Sequence, residues 1–126
     1  MLIFPKTLID KLSVVNESYE EMDYVELDIC EPMEVIDNDS FDMIIDKATL
    51  DAVLCNQKPQ ERVLQMMENI YRILAPGGIY ISISNGIPET REQIFKMKEW
   101  SIERGEIPSE SAHEGDNMHH IYVMTK

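Results

Sequence analysis

Apolar residues recur at spacings of three and four across residues 6–21, at Leu8, Ile9, Leu12, Val15 and Tyr19, which predicts an amphipathic helix entered behind Pro5. The period then drops to two. Tyr24–Ile29 alternates and is rich in strand formers, so it predicts a strand ending at an acid, Asp28. Glu31-Pro32 and Asp37–Ser40 break the chain, and Phe41–Ile45 follows as a short apolar run. It reads as a buried parallel strand that ends at Asp46, with Thr49 and Asp51 beginning the next helix.

The clearest helix opens at Pro59-Gln60-Glu61, with proline and an acid in its first turn. Val63, Met66, Met67, Ile70, Ile73 and Leu74 form its apolar stripe, and Arg72 lies near the negative end of the dipole. Ala75-Pro76-Gly77-Gly78 is expected to stop it, glycine taking a left-handed cap. Ile79–Ser84 then predicts a strand buried on both faces, Ile79, Ile81 and Ile83 toward one helical layer and Tyr80 toward the other. Pro88–Lys98 predicts a helix with Ile94, Phe95 and Met97 inward. Trp100–Ile107 and Met118–Thr125 predict two strands paired antiparallel around a polar loop.

The order α-β-β-α-β-α-β-β is an α/β layout ending in a hairpin. At 126 residues it forms one domain, residues 1–126, with room for a modest core. The net charge of −13 repels a nucleic-acid backbone or an anionic membrane. It suits a solvated acidic surface or a protein partner with a basic surface. Two cysteines, Cys30 and Cys55, fit a reducing compartment, the cytoplasm, and exclude a disulfide scaffold. The longest apolar stretches, such as Met43-Ile44-Ile45, are too short to span a bilayer, and the start shows no signal peptide.

Candidate chemistry concentrates at Asp28 and Asp46, each at the carboxyl end of a predicted strand, where open α/β sheets present side chains to ligands. Either acid alone reads more readily as a loop cap or a solvated carboxylate. Pro76-Gly77-Gly78 lacks the following helix and Lys-Ser/Thr of a phosphate loop. His113, His119 and His120 have no cysteine or acid at ligand spacing, so no metal site is expected. Cys55 has no identifiable base, and the nine methionines fall largely on apolar stripes as core filler.

Three segments together resemble the class I S-adenosylmethionine (SAM)-dependent methyltransferases: Asp28-Ile29 at a strand end, Ser40–Ala52 and Ile73–Ser82. Within the second, Asp46-Lys47-Ala48-Thr49-Leu50-Asp51-Ala52 is similar to the methyltransferase-like 13 group, whose better-known members methylate lysines of elongation factor 1-alpha. Trp100-Ser101-Ile102 and His119–Lys126 are similar to that group's last two strands. The resemblance runs from about residue 6 to the end. It departs at Ala48, where relatives usually have glycine.

The resemblance implies a Rossmann-like methyltransferase sheet, incomplete here because the first strand and most of the second are missing. Asp28 and Ile29 would then hold adenine, and Asp46, the catalytic candidate, would sit near the methionine end of SAM with Lys47 beside it. Lys47 is also readable as structural or paired with a neighbouring acid. The family's glycine-rich cofactor loop has no counterpart among the five glycines, and Ile3 stands where an acid would hold the ribose. Isoleucine accepts no hydroxyl hydrogen bond. In the family sheet, ordered 3-2-1-4-5-7-6, the missing strands would separate Tyr24–Asp28 from Phe41–Asp46 and leave unpaired edges. The chain is accordingly expected to be an N-terminally truncated methyltransferase of the protein-lysine type, found as a homodimer or with a complementing chain. The alternative is a pseudo-methyltransferase, a binding or scaffold subunit with the sheet closed on itself.

Overall fold

The computed structural model describes residues 1–3, 23–108 and 118–126. The helix expected over residues 6–21 lies outside them. The elements in chain order are β1 (Leu2–Ile3), β2 (Phe41–Lys47), α1 (Thr49–Leu54), α2 (Pro59–Ile73), β3 (Leu74–Ser84), α3 (Pro88–Phe95), β4 (Ser101–Pro108) and β5 (Met118–Thr125). They build one sheet in the order β1-β2-β3-β5-β4. β1–β2 and β2–β3 are parallel, while β3–β5 and β4–β5 are antiparallel. The α/β layout with a terminal hairpin is therefore present as expected.

Two expectations are corrected. Tyr24–Asp28 carries no strand. It runs irregularly into a turn closed by Glu31 N–H on Asp28 O at 3.1 Å, with Val25 59% exposed. Its alternation is real, but Leu2–Ile3, and not this segment, pairs with β2. Leu2–Ile3 occupies the place beside β2, with Leu2 opposite Ile45 and Ile3 opposite Asp46. Ile45 N–H reaches Met1 O at 2.8 Å, and the N-terminal ammonium donates to Met43 O at 2.7 Å. β2 thus has neighbours on both sides, and the expected gap is closed.

The second correction concerns Pro76-Gly77-Gly78. α2 passes straight into β3 through Leu74, which is already extended at φ −75°, ψ 127°. No glycine caps the helix. The Pro-Gly-Gly run instead forms a bulge, because Phe41 and Met43 of β2 face Leu74 and Ile79 of β3. Gly77 has φ 77°, and a Cβ on Gly78 would lie 2.7 Å from the Ala75 carbonyl oxygen, so both positions need glycine. The open carbonyls at the end of α2 are met by Lys126, whose ammonium donates to Tyr71 O at 2.8 Å and Leu74 O at 2.6 Å.

The core lies on one face of the sheet. Ile44, Tyr80, Tyr122 and Met124 point toward the helices and are fully buried, packed with Met66, Met67, Ile70 and Ile73 of α2, Leu50 of α1 and Phe95 of α3. Phe95 sits over both tyrosines, 6.1 Å from the Tyr80 ring and 5.0 Å from that of Tyr122. Ile45, Ile79, Ile81, Ile83, Ile121 and Val123 point the other way, are half-buried, and stand outside this core. The expectation that β3 is buried on both faces is thus met on its tyrosine face only, among the described residues. Ile44→Ala should cost about 3 kcal/mol, as a cavity in a closed core does, and Ile81→Ala less, about 1–2 kcal/mol, since its side chain is only partly buried. Urea unfolding measures both, and equal losses would show two equally covered faces.

Candidate functional site

The carboxyl ends of β2 and β3 carry the polar residues. β2 ends in Asp46-Lys47 and turns at once into α1. The turn is tight because Ala48 adopts the left-handed conformation, φ 63°, ψ 6°. That geometry aims the first amides of α1 back at Asp46: Thr49 N–H donates to Oδ1 at 2.8 Å and Leu50 N–H to Oδ2 at 3.3 Å. Tyr80 Oη donates to Oδ2 at 3.1 Å and Ser82 Oγ lies 3.4 Å away, both from β3. Asp46 is fully buried. Burial pushes its carboxyl above the usual carboxylate range, outweighing the opposite pull of these donors. It ties β2, α1 and β3 together. Lys47 points to the other face and is exposed.

Asp28 is held differently. Its carboxylate accepts Cys30 N–H at 2.8 Å and Arg62 Nη2 at 3.2 and 2.9 Å. Burial pushes it up, but the Arg62 hydrogen bond and charge and the Cys30 amide prevail and hold it below the usual range. Beside it Ile29 is buried, and its carbonyl is taken by the Asn69 side-chain amide at 2.8 Å. The same amide reaches Glu31 O at 2.7 Å, so α2 fixes the whole Asp28–Glu31 turn. Cys30 is buried there, its thiol pushed up to about 11, chiefly by desolvation.

A third group escaped the sequence reasoning. Asp51 of α1 accepts Ser84 Oγ at 2.5 Å, Asn85 N–H at 3.0 Å, and Arg91 Nε and Nη2 at 3.1 and 2.9 Å. Arg91 Nε also reaches Ser84 Oγ at 2.9 Å, and the arginine is 9% exposed. The network fastens α1, the end of β3 and α3 to one another. Its partners are 33 and 40 residues from Asp51 along the chain, and no spacing in the sequence announces them.

SAM carries a ribose and a methionine end as well as adenine, and the residues present match it incompletely. Ile3, where an acid would hold the ribose, is 7% exposed and packed in the core. Asp46, expected at the methionine end, has its oxygens engaged by four donors of the chain itself. No step through the cofactor follows from this donor set. Among the described residues no group of three or more His, Cys, Asp or Glu is placed to hold a metal, and no helix is long and apolar enough to cross a membrane.

Solved structures decide the fold. The N-methyltransferase NodS of Bradyrhizobium japonicum WM9, in complex with S-adenosyl-L-homocysteine, matches 99% of this chain with a TM-score of 0.72 at 15% identity. This chain has the fold of the class I SAM-dependent methyltransferases. The CurJ carbon methyltransferase matches 98% of it, with a TM-score of 0.71 at 14% identity. A TehB-like methyltransferase from Corynebacterium glutamicum matches 99%, with a TM-score of 0.66 at 16% identity. The chain spans 64% of NodS, 40% of CurJ and 66% of the TehB-like protein. No protein-family model matches its sequence.

Two outcomes follow from this geometry. Ala48 pays the left-handed penalty of an L-residue that glycine avoids, so Ala48→Gly should stabilise the fold by about 1 kcal/mol in urea unfolding. Asp46 titrates with a raised value in the folded state, so it retains its proton where the unfolded chain has lost it. Its contribution to stability is full below pH 3.8, the ordinary value, and is lost as pH rises through the folded value. The stability of the parent relative to Asp46→Asn should therefore fall across that window, and a difference that rises with pH would reverse the assignment.

Proposed function

We propose that this chain is part of a SAM-dependent methyltransferase whose acceptor is a protein lysine. The fold carries the first half of the reading. The acceptor rests on the Asp46–Ala52 run, similar to the elongation-factor lysine methyltransferases, and on the charge of −13, which attracts a basic substrate protein. SAM would supply an activated methyl group, and positioning of the acceptor amine would do most of the work. The residues at the carboxyl ends of β2 and β3 are where an acceptor would be positioned. Asp28, Ile29 and Lys47 are the cofactor-side candidates, and Asp46 holds the β2–α1 turn beside Lys47.

A second reading has an observation of its own. Both candidate carboxylates are already satisfied, Asp46 by α1 and β3 and Asp28 by Arg62. That favours a pseudo-methyltransferase, a binding or scaffold subunit on the same fold, for the chain acting alone. The two readings meet in one expectation: by itself this chain binds SAM poorly. Calorimetric titration with SAM should give no saturation below about 1 mM, roughly −4 kcal/mol. Amide shifts followed by NMR at high SAM should fall on Asp28–Cys30 and Lys47–Ala48 for the enzyme reading and nowhere for the scaffold. Micromolar stoichiometric binding would show a complete cofactor site and overturn both.

A further inference from the structure

One Asn-Gly pair occurs among the chain's six asparagines, Asn85-Gly86, and it follows the carboxyl end of β3 with Asn85 exposed. An asparagine amide carbon lies one five-membered ring closure from the next residue's backbone nitrogen, and only glycine leaves that nitrogen unscreened by a side chain. The fold adds three polarising contacts to this local chemistry. His119 of β5 has Nδ1 against Asn85 Oδ1 and donates its proton there, because an amide oxygen can only accept. Gly86 N–H donates to Ser84 Oγ at 3.1 Å, and Ser84 Oγ donates in turn to Asp51 Oδ1 at 2.5 Å. The Arg91 guanidinium lies so close against Gly86 that no Cβ fits there. The Asn85 N–H is itself fixed on Asp51 Oδ2 at 3.0 Å.

We propose that Asn85 is a site of self-modification, its side-chain amide converting through a succinimide to aspartate and isoaspartate with the fold promoting the ring closure. The Gly86 nitrogen attacks Asn85 Cγ. Its proton passes to Ser84 Oγ as the Ser84 proton passes to Asp51. Arg91 stabilises the charge developing on the nitrogen, and His119 stabilises that on Asn85 Oδ1. The Cγ–Nδ2 bond then breaks, and the proton held at Asp51 returns through water to Nδ2, which leaves as ammonia. Water reaches the exposed ring, opens it at either carbonyl and leaves a carboxylate; nothing is oxidised or reduced. The aspartate product keeps the His119 contact, now charge-assisted. Isoaspartate instead inserts a methylene into the main chain and carries Gly86 away from Ser84, loosening the Asp51–Ser84–Arg91 fastening of α3. The inference stands on this bend alone and does not depend on methyl transfer.

Peptide mapping by mass spectrometry tests it, on the purified full chain held at neutral pH and physiological temperature in heavy-oxygen water. The expected result is labelled aspartate and isoaspartate at Asn85, with the other asparagines converting more slowly in the same sample. Conversion at Asn85 should be faster in the folded chain than in urea. His119→Ala, and His119→Phe as a second variant that keeps the bulk at this half-buried position, should slow the folded reaction about tenfold. That is less than a full general acid contributes, because water can take its place. Neither variant should change the rate in urea, where the contact is absent. An intact Asn85, a folded rate at or below that in urea, or equal folded rates for the parent and both variants would each overturn the proposal.

Discussion

The fold depends on one buried carboxylate. Asp46 ends β2 with no exposed surface, and it can stay there because the chain supplies four donors to it: two amides of α1, Tyr80 Oη and Ser82 Oγ. Each donor fixes an element. The amides require α1 to start three residues later, which forces Ala48 into the left-handed region. The hydroxyls require β3 to lie beside β2 in its observed register, Asp46 opposite Ser82. A one-residue slip of that pairing would turn Tyr80 and Ser82 away from the carboxylate and the whole tyrosine face out of the core.

The same constraint shapes what the chain can do. A carboxylate that organises three elements is poorly placed to bind a ligand as well, and Asp28 is likewise committed to Arg62 and the Cys30 amide. The methyltransferase fold is therefore present with its two conspicuous acids turned to internal use. Asp51, Ser84 and Arg91 extend that frame toward α3. Among the described residues the helices pack on the tyrosine face of the sheet, and the isoleucine face stands outside the buried core.

Much of this was legible in the sequence, for physical reasons that differ by element. α2 announced itself through a seamless apolar stripe with proline at its start, and β5 was predicted as Met118–Thr125 and found so. The hairpin pairing followed from the lack of helical periodicity between its strands. Tyr24–Asp28 misled because alternation reports a half-buried chain and not a partner: Leu27 packs against the core while Val25 faces out, without any ladder. The Pro-Gly-Gly run was a true breaker whose position in a bulge depended on pairing with β2, which local sequence does not encode. Ala48 departs from the glycine of the similar family, and its left-handed backbone gives that departure a physical cost. The Asp51–Arg91 network stayed hidden because its members meet only through the fold.

The most direct test of the account is a carboxyl-carbon NMR titration of Asp46, followed with and without SAM. The account predicts a midpoint above the ordinary value of 3.8 and a resonance that does not respond to SAM, because the carboxylate is enclosed and fully bonded within the chain. A midpoint at or below 3.8, or a SAM-dependent shift of that resonance, would show an accessible ligand-binding acid and contradict it.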